Sequence, residues 1–196
     1  VHFSDQPYSD VFNSDTRPDI AVGRIIGNSA AALRKAIRTS LDGTFDNSDA
    51  LTVAGGGSGH PHWQQDAELV EGILDDDLNV VHLHWSDYLS DTLMLQEFRS
   101  RAGNKDVIFF SDHGGPDCWC HAVRTGDFPV NFQQANPFAF AAACLTGNYE
   151  NHPTNGGGDY NIAEAFFDSG AVIYIGATEE STAGPDTRAI NRFYTI

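Results

Sequence analysis

Two short segments hold the side chains best suited to covalent chemistry. Asp112-His113-Gly114-Gly115 ends one apolar run, and Ala142-Ala143-Cys144-Leu145-Thr146-Gly147 ends the next. A thiolate attacks a carbonyl carbon readily, so a thiol beside an imidazole needs little activation. The imidazole then serves mainly to protonate the leaving amine. Each of the two residues falls where a buried strand gives way to a turn, the edge at which open α/β sheets place their chemistry. Taken singly, Cys144 reads equally as a small buried apolar residue, and His113 as a hydrogen-bonded loop histidine. Their joint placement at two successive strand ends favours Cys144 as nucleophile and His113 as its acid and base. Gly114 lets the backbone approach closely, and its N–H together with that of Cys144 makes a candidate oxyanion hole.

The elements that must position this pair alternate along the chain. Residues 19–26 read as a strand, and Ser29 caps a helix over 30–41 whose Leu33, Ala36 and Ile37 share a face. A strand over 50–54 runs into Gly55-Gly56-Gly57-Ser58-Gly59, and a helix over 63–74 follows. Next come a strand over 79–84 and a helix over 91–101. The runs 106–110 and 138–143 are continuously apolar, as in strands buried on both faces. Residues 160–169 read as a helix ended by Gly170, and 171–175 as a last central strand. This alternation predicts an α/β domain with a mainly parallel sheet covered on both sides.

With 196 residues, 41% of them apolar, the chain suits one domain over 1–196. It starts without methionine and stops at a helix-like Phe193-Tyr194-Thr195-Ile196, so we expect an excerpt of a longer multidomain protein. A formal net charge of −16 makes nucleic acid and anionic membrane poor partners. No apolar run is long enough for membrane insertion. Acidic loops at 46–49, 75–77 and 155–159 offer oxygen ligands, leaving calcium open as a structural ion, but none has EF-hand spacing. Cys118-Trp119-Cys120-His121 resembles half a zinc site, yet its one-residue spacing and the lack of a second pair favour ordinary loop thiols. His82 and His84 share a strand face and could meet His60 or His62 at a metal, against the plainer reading of cleft histidines. The glycine run has neither the Lys-Ser/Thr pair nor the spacing of a phosphate cradle. The metal content stays unknown, and the Cys-His chemistry itself requires no cofactor.

Five blocks in order resemble the gingipain-type cysteine peptidases of the caspase-like group. They are Arg17 to Ile25, His113-Gly114 followed by Trp119, Ala143 to Tyr149, Ile162 to Phe166, and Gly170 to Thr178. The resemblance implies a caspase-like three-layer α/β/α fold, catalysis by His113 and Cys144, and an oxyanion hole from Gly114 and Cys144. It implies a secreted or cell-surface endopeptidase acting on proteins or peptides, cutting after Arg or Lys through an acyl-enzyme. A sortase-like transpeptidase of the same family and a non-catalytic, calcium-loaded binding module on this fold are the alternatives. Relatives often carry glycine before the catalytic histidine, where this chain has Asp112, a candidate to orient His113 or to cap the turn. Some relatives take an orienting acid from the loop ahead of the second helix, but residues 53–65 contain none. Asp66, Glu179 and Glu180 are therefore the candidates to recognise a basic side chain, with Trp63 and Trp119 as further substrate contacts.

Overall fold

Phenylalanine, alanine and β-branched residues dominate two neighbouring central strands, and small side chains there let helices close over both faces. The computed structural model describes residues 25–27, 29–43, 48–56, 61–148 and 160–181. Its main elements are α1 (Ala30–Asp42), β1 (Asp49–Ala54), α2 (Pro61–Leu74), β2 (Asn79–His84), the single turn α3 (Trp85–Tyr88) and α4 (Asp91–Arg101). They continue with β3 (Val107–Ser111), β4 (Gly114–Gly115), β5 (Cys118–Trp119), β6 (Val123–Arg124), β7 (Phe138–Ala142), α5 (Ile162–Ser169) and β8 (Ile173–Gly176). Five strands pair in parallel in the order β2-β1-β3-β7-β8.

Alternate residues of each central strand serve opposite layers. Phe109, Phe138 and Phe140 meet Ala67 and Val70 of α2 on one face. Ile108, Phe110, Ala139 and Ala141 meet Met94 and Phe98 of α4, Trp119, and Ile162 and Phe166 of α5 on the other. The α/β/α layering follows directly from that split.

Sequence expectations and structure differ at several points. The strand expected at 171–175 begins at Ile173 and, among the described residues, pairs only with β7. The helix expected from 160 begins at Ile162, because Asn161 caps it reciprocally with Glu164. A three-stranded antiparallel sheet, β4-β5-β6, was not foreseen, since two-residue strands among Gly and Pro carry no readable period. The strand expected at 19–26 and the block Arg17 to Ile25 lie outside the described residues, except for residue 25 onward.

Candidate active site

Register brings the two reactive residues together. Ser111 at the end of β3 is the Cα partner of Ala142 at the end of β7. His113 and Cys144 each follow two residues later, so they emerge side by side at the carboxyl edge of the sheet. Gly114 closes the gap: a Cβ placed there would lie 2.6 Å from the Cys144 carbonyl oxygen and 2.8 Å from Ala143 Cβ. Only glycine lets the histidine segment touch the cysteine turn this closely.

The hairpin also sets the direction of the Gly114 N–H. Cys120 donates its N–H to the His113 carbonyl at 3.0 Å, which makes His113 and Cys120 a hydrogen-bonded pair of the antiparallel ladder. Gly114 opposite Trp119 is therefore a non-hydrogen-bonded pair, with the Gly114 N–H turned away from β5. That N–H is therefore not spent on the ladder.

Cys144 sits on a tight turn in which the next residue, Leu145, has φ of 58°. This left-handed conformation is uncommon for a side chain of that size. The loop after β8 holds the turn in place through three residues. Gly147 donates to the Ala177 carbonyl at 2.8 Å and Leu145 to the Glu179 carbonyl at 3.1 Å. Ser181 donates its N–H to Cys144 Sγ at 3.3 Å, and the thiol donates back to the Ser181 carbonyl at 3.4 Å. Ser181 was not singled out from the sequence, and no local pattern could have linked residues so far apart.

His113 is exposed, and its ring meets the edge of Trp63 with centroids 4.7 Å apart. Trp63 thus forms a wall of the imidazole's site. Asp66, one turn further along α2, is 4% exposed and accepts from the Ser111 hydroxyl at 3.3 Å. Glu179 and Glu180 are exposed on the loop beside Cys144. Trp119 is different: it is fully buried, stacked on Phe110 at 4.7 Å with 4° between the planes, and its Nε1 donates to the Tyr174 hydroxyl. It is a core residue and cannot contact substrate, which corrects the expectation from sequence.

Asp112 acts on the backbone. Its carboxylate accepts the N–H of His113 and pairs with Nδ1 of His121 at 2.7 Å. Burial pushes the Asp112 carboxyl above its usual range, against the opposing pull of His121. His121 is lowered by burial but raised more by Asp112, so its net shift is upward. The carboxylate also fills the space over Gly55, which explains that glycine without any phosphate.

Other histidines are accounted for locally. His84 bonds Glu71 at 3.0 Å, and the neighbouring charge, together with a bond from Thr52, outweighs burial to hold Glu71 below the carboxylate norm. His82 stacks loosely beside His84, and His62 lies against Trp63. No three His, Cys, Asp or Glu residues among those described gather to hold a metal ion. His60 and the acidic loops at 46–47 and 155–159 lie outside the described residues. No described helix is long and apolar enough to cross a membrane.

No curated protein matches the chain. Among solved structures, that of the Arg-specific cysteine proteinase gingipain R superimposes with a TM-score of 0.74 at 18% identity. The match takes in 98% of this chain and 48% of that one, so the chain spans about half the length of that protein. At this identity the likeness establishes the caspase-like fold. The family model described as peptidase family C25 matches residues 2–195, nearly the whole length, and the chain belongs to that family.

Proposed function

We propose that this domain is a cysteine endopeptidase, with Cys144 as nucleophile and His113 as general acid and base. The observation that carries the reading is the register of β3 and β7, which sets the two residues side by side with Gly114 packed on the cysteine turn. His113 takes the thiol proton as sulfur bonds to the scissile carbonyl carbon. The oxyanion that develops is held by the N–H groups of Gly114 and Cys144. Collapse expels the amine, which leaves with the proton from His113, and an acyl-thioester remains. Water, deprotonated by the same imidazole, releases the acid and restores the thiol.

Cleavage after Arg or Lys forms part of the proposal. The loop carrying Glu179 and Glu180 is hydrogen-bonded along the cysteine turn, which supports these two carboxylates as candidates to meet the side chain next to the scissile bond. Asp66 is the third candidate, already buried. A carboxylate desolvated by a bound substrate pairs with a guanidinium or ammonium and discriminates strongly against neutral groups. We place the domain in a secreted or cell-surface protein, for which a net charge of −16 suits an extracellular milieu.

An irreversible thiol reagent on an Arg-bearing peptide tests this reading. Labelling should map to Cys144 and depend on the peptide, and Cys144→Ala should abolish hydrolysis while leaving the thermal melt intact. Labelling that follows Cys118 or Cys120, or an active Cys144→Ala variant, would refute it.

A further inference from the structure

The remaining two thiols lie together, outside the His113 and Cys144 pair. We propose that Cys118 and Cys120 form a reversible dithiol–disulfide site whose closure loosens the hairpin that holds His113; the second clause rests on the peptidase reading above.

The geometry begins with Trp119. Alternate residues of a strand share a face, so Cys118 and Cys120 project together on the side opposite the indole. Their sulfurs are 2.9 Å apart. Cys118 is 4% exposed, whereas Cys120 is only partly covered. The two thiols are also chemically unequal. The hydrogen bond between Cys118 and Cys120, reinforced by burial, pushes Cys118 far up. The same bond draws Cys120 down. The accessible sulfur is thus the better nucleophile, and the buried one is placed to resolve the product.

The exchange balances with a small-molecule disulfide as oxidant. The Cys120 thiolate attacks one sulfur of that disulfide, forming a mixed disulfide and expelling a thiolate. The expelled thiolate takes the proton of Cys118, whose sulfur then attacks Cys120 Sγ. The second small thiolate leaves and is protonated by solvent. Two protein thiols become a disulfide, and one small disulfide becomes two thiols.

Closing this ring in its preferred geometry shortens the strand. Residues two apart in extended chain have Cα atoms about 6.6–6.8 Å apart. Disulfides accept about 4.4–6.8 Å and centre near 5.5–6 Å. Trp119 cannot follow, being fixed between Phe110 and Phe166 and tied to Tyr174. Contraction therefore falls on Cys120, whose N–H supports the His113 carbonyl, and on His121, which pairs with Asp112 at a left-handed φ of 64°. Both supports of the histidine segment are drawn away together.

The test equilibrates the protein with oxidised and reduced glutathione, traps free thiols with iodoacetamide, and digests with trypsin. Peptide 106–124 contains Cys118 and Cys120 but not Cys144. Under oxidising conditions it should be recovered without label and lighter by two hydrogens, reversibly with dithiothreitol. Hydrolysis of an Arg peptide should fall at least about tenfold in parallel, since a misplacement of about 1 Å can cost about a hundredfold. Cys120→Ser and the double Cys118→Ser/Cys120→Ser variant cannot close the ring and should escape that loss. The rate of iodoacetamide capture at Cys144 reads the same coupling without any substrate. An absent internal disulfide, or equal inhibition and equal Cys144 capture in wild type and Cys120→Ser, would overturn the proposal. A wild type that forms the disulfide, but shows no hydrolysis even when reduced, would instead overturn the peptidase reading.

Discussion

Gly55→Ala adds one methyl group at the edge of β1, and the structure gives it nowhere to go. The new Cβ would fall 1.7 Å from Asp112 Oδ2, 1.8 Å from Cγ and 2.4 Å from Cβ. Asp112 is 3% exposed and must be driven out of its site. That breaks the contacts of its carboxylate with the His113 N–H and with His121. Hydrogen bonds to charged groups contribute about 1.5–3 kcal/mol each, so the loss is about 3 kcal/mol or more. Overpacking of a well-filled site costs about 1–3 kcal/mol by itself, which supports the same scale. For a domain of this size, 3 kcal/mol lowers Tm by about 6–12 °C. The assay is a double-mutant cycle in urea. Asp112→Gly is the partner, because it removes all three clashing atoms, whereas alanine would keep Cβ. Gly55→Ala should cost less than about 1 kcal/mol in that background, a coupling of about 2 kcal/mol or more. If the two costs simply add, Gly55 is not there to make room for Asp112, and the account of the His113 anchor fails.

His113→Ala should lower turnover at least about a hundredfold, the usual cost of a lost general acid-base, measured on fluorogenic peptides. Asp112→Asn should be milder, because an amide oxygen can still accept the His113 N–H; an equal loss would make the carboxylate part of the chemistry. The raised His121 carries a pH signature: the pair's contribution is fully present below the unfolded histidine value of about 6.5 and is lost as pH rises through the higher folded value. Wild type should therefore exceed His121→Gln in Tm by more at pH 6 than at pH 8.5, and a difference that grows with pH would contradict the pairing. Glu179→Gln, Glu180→Gln and Asp66→Asn, profiled against Arg, Lys, Asn and Ala peptides, should weaken the basic preference in at least one variant. An unchanged profile in all three would remove the acidic subsite.

Elements with strong periodicity were legible from the chain. The α4 helix falls at 91–101 as the spacing predicts, and the apolar runs at 106–110 and 138–143 sit within a residue or so of β3 and β7. Those two strand ends were enough to bring His113 and Cys144 together in thought. What could not be read is how the pair is supported. Asp112 lies next to His113 in sequence, which suggests contact with the imidazole, but its carboxylate turns to the backbone and to His121. Trp119 between two cysteines looks like a loop residue, and only the tertiary stack of Phe110 and Phe166 shows why it is buried. The contact of Ser181 with Cys144 joins segments that no helical or strand period relates. His84 shows the opposite case: a nearby glutamate on α2 replaces the metal that two histidines on one strand face might suggest.

The backbone lattice between residues 177–181 and the cysteine turn bears on how the protein is made. On the ribosome, chains emerge from the amino end and fold as their parts become available. His113 and Cys144 leave the exit tunnel well before the segment that must clasp the turn. Until β8 has docked beside β7, Leu145 and Gly147 lack the carbonyls that hold their strained geometry, and Cys144 lacks its Ser181 partner. The supported geometry of the Cys144 turn is therefore completed late in biosynthesis, a timing set by the order of the strands.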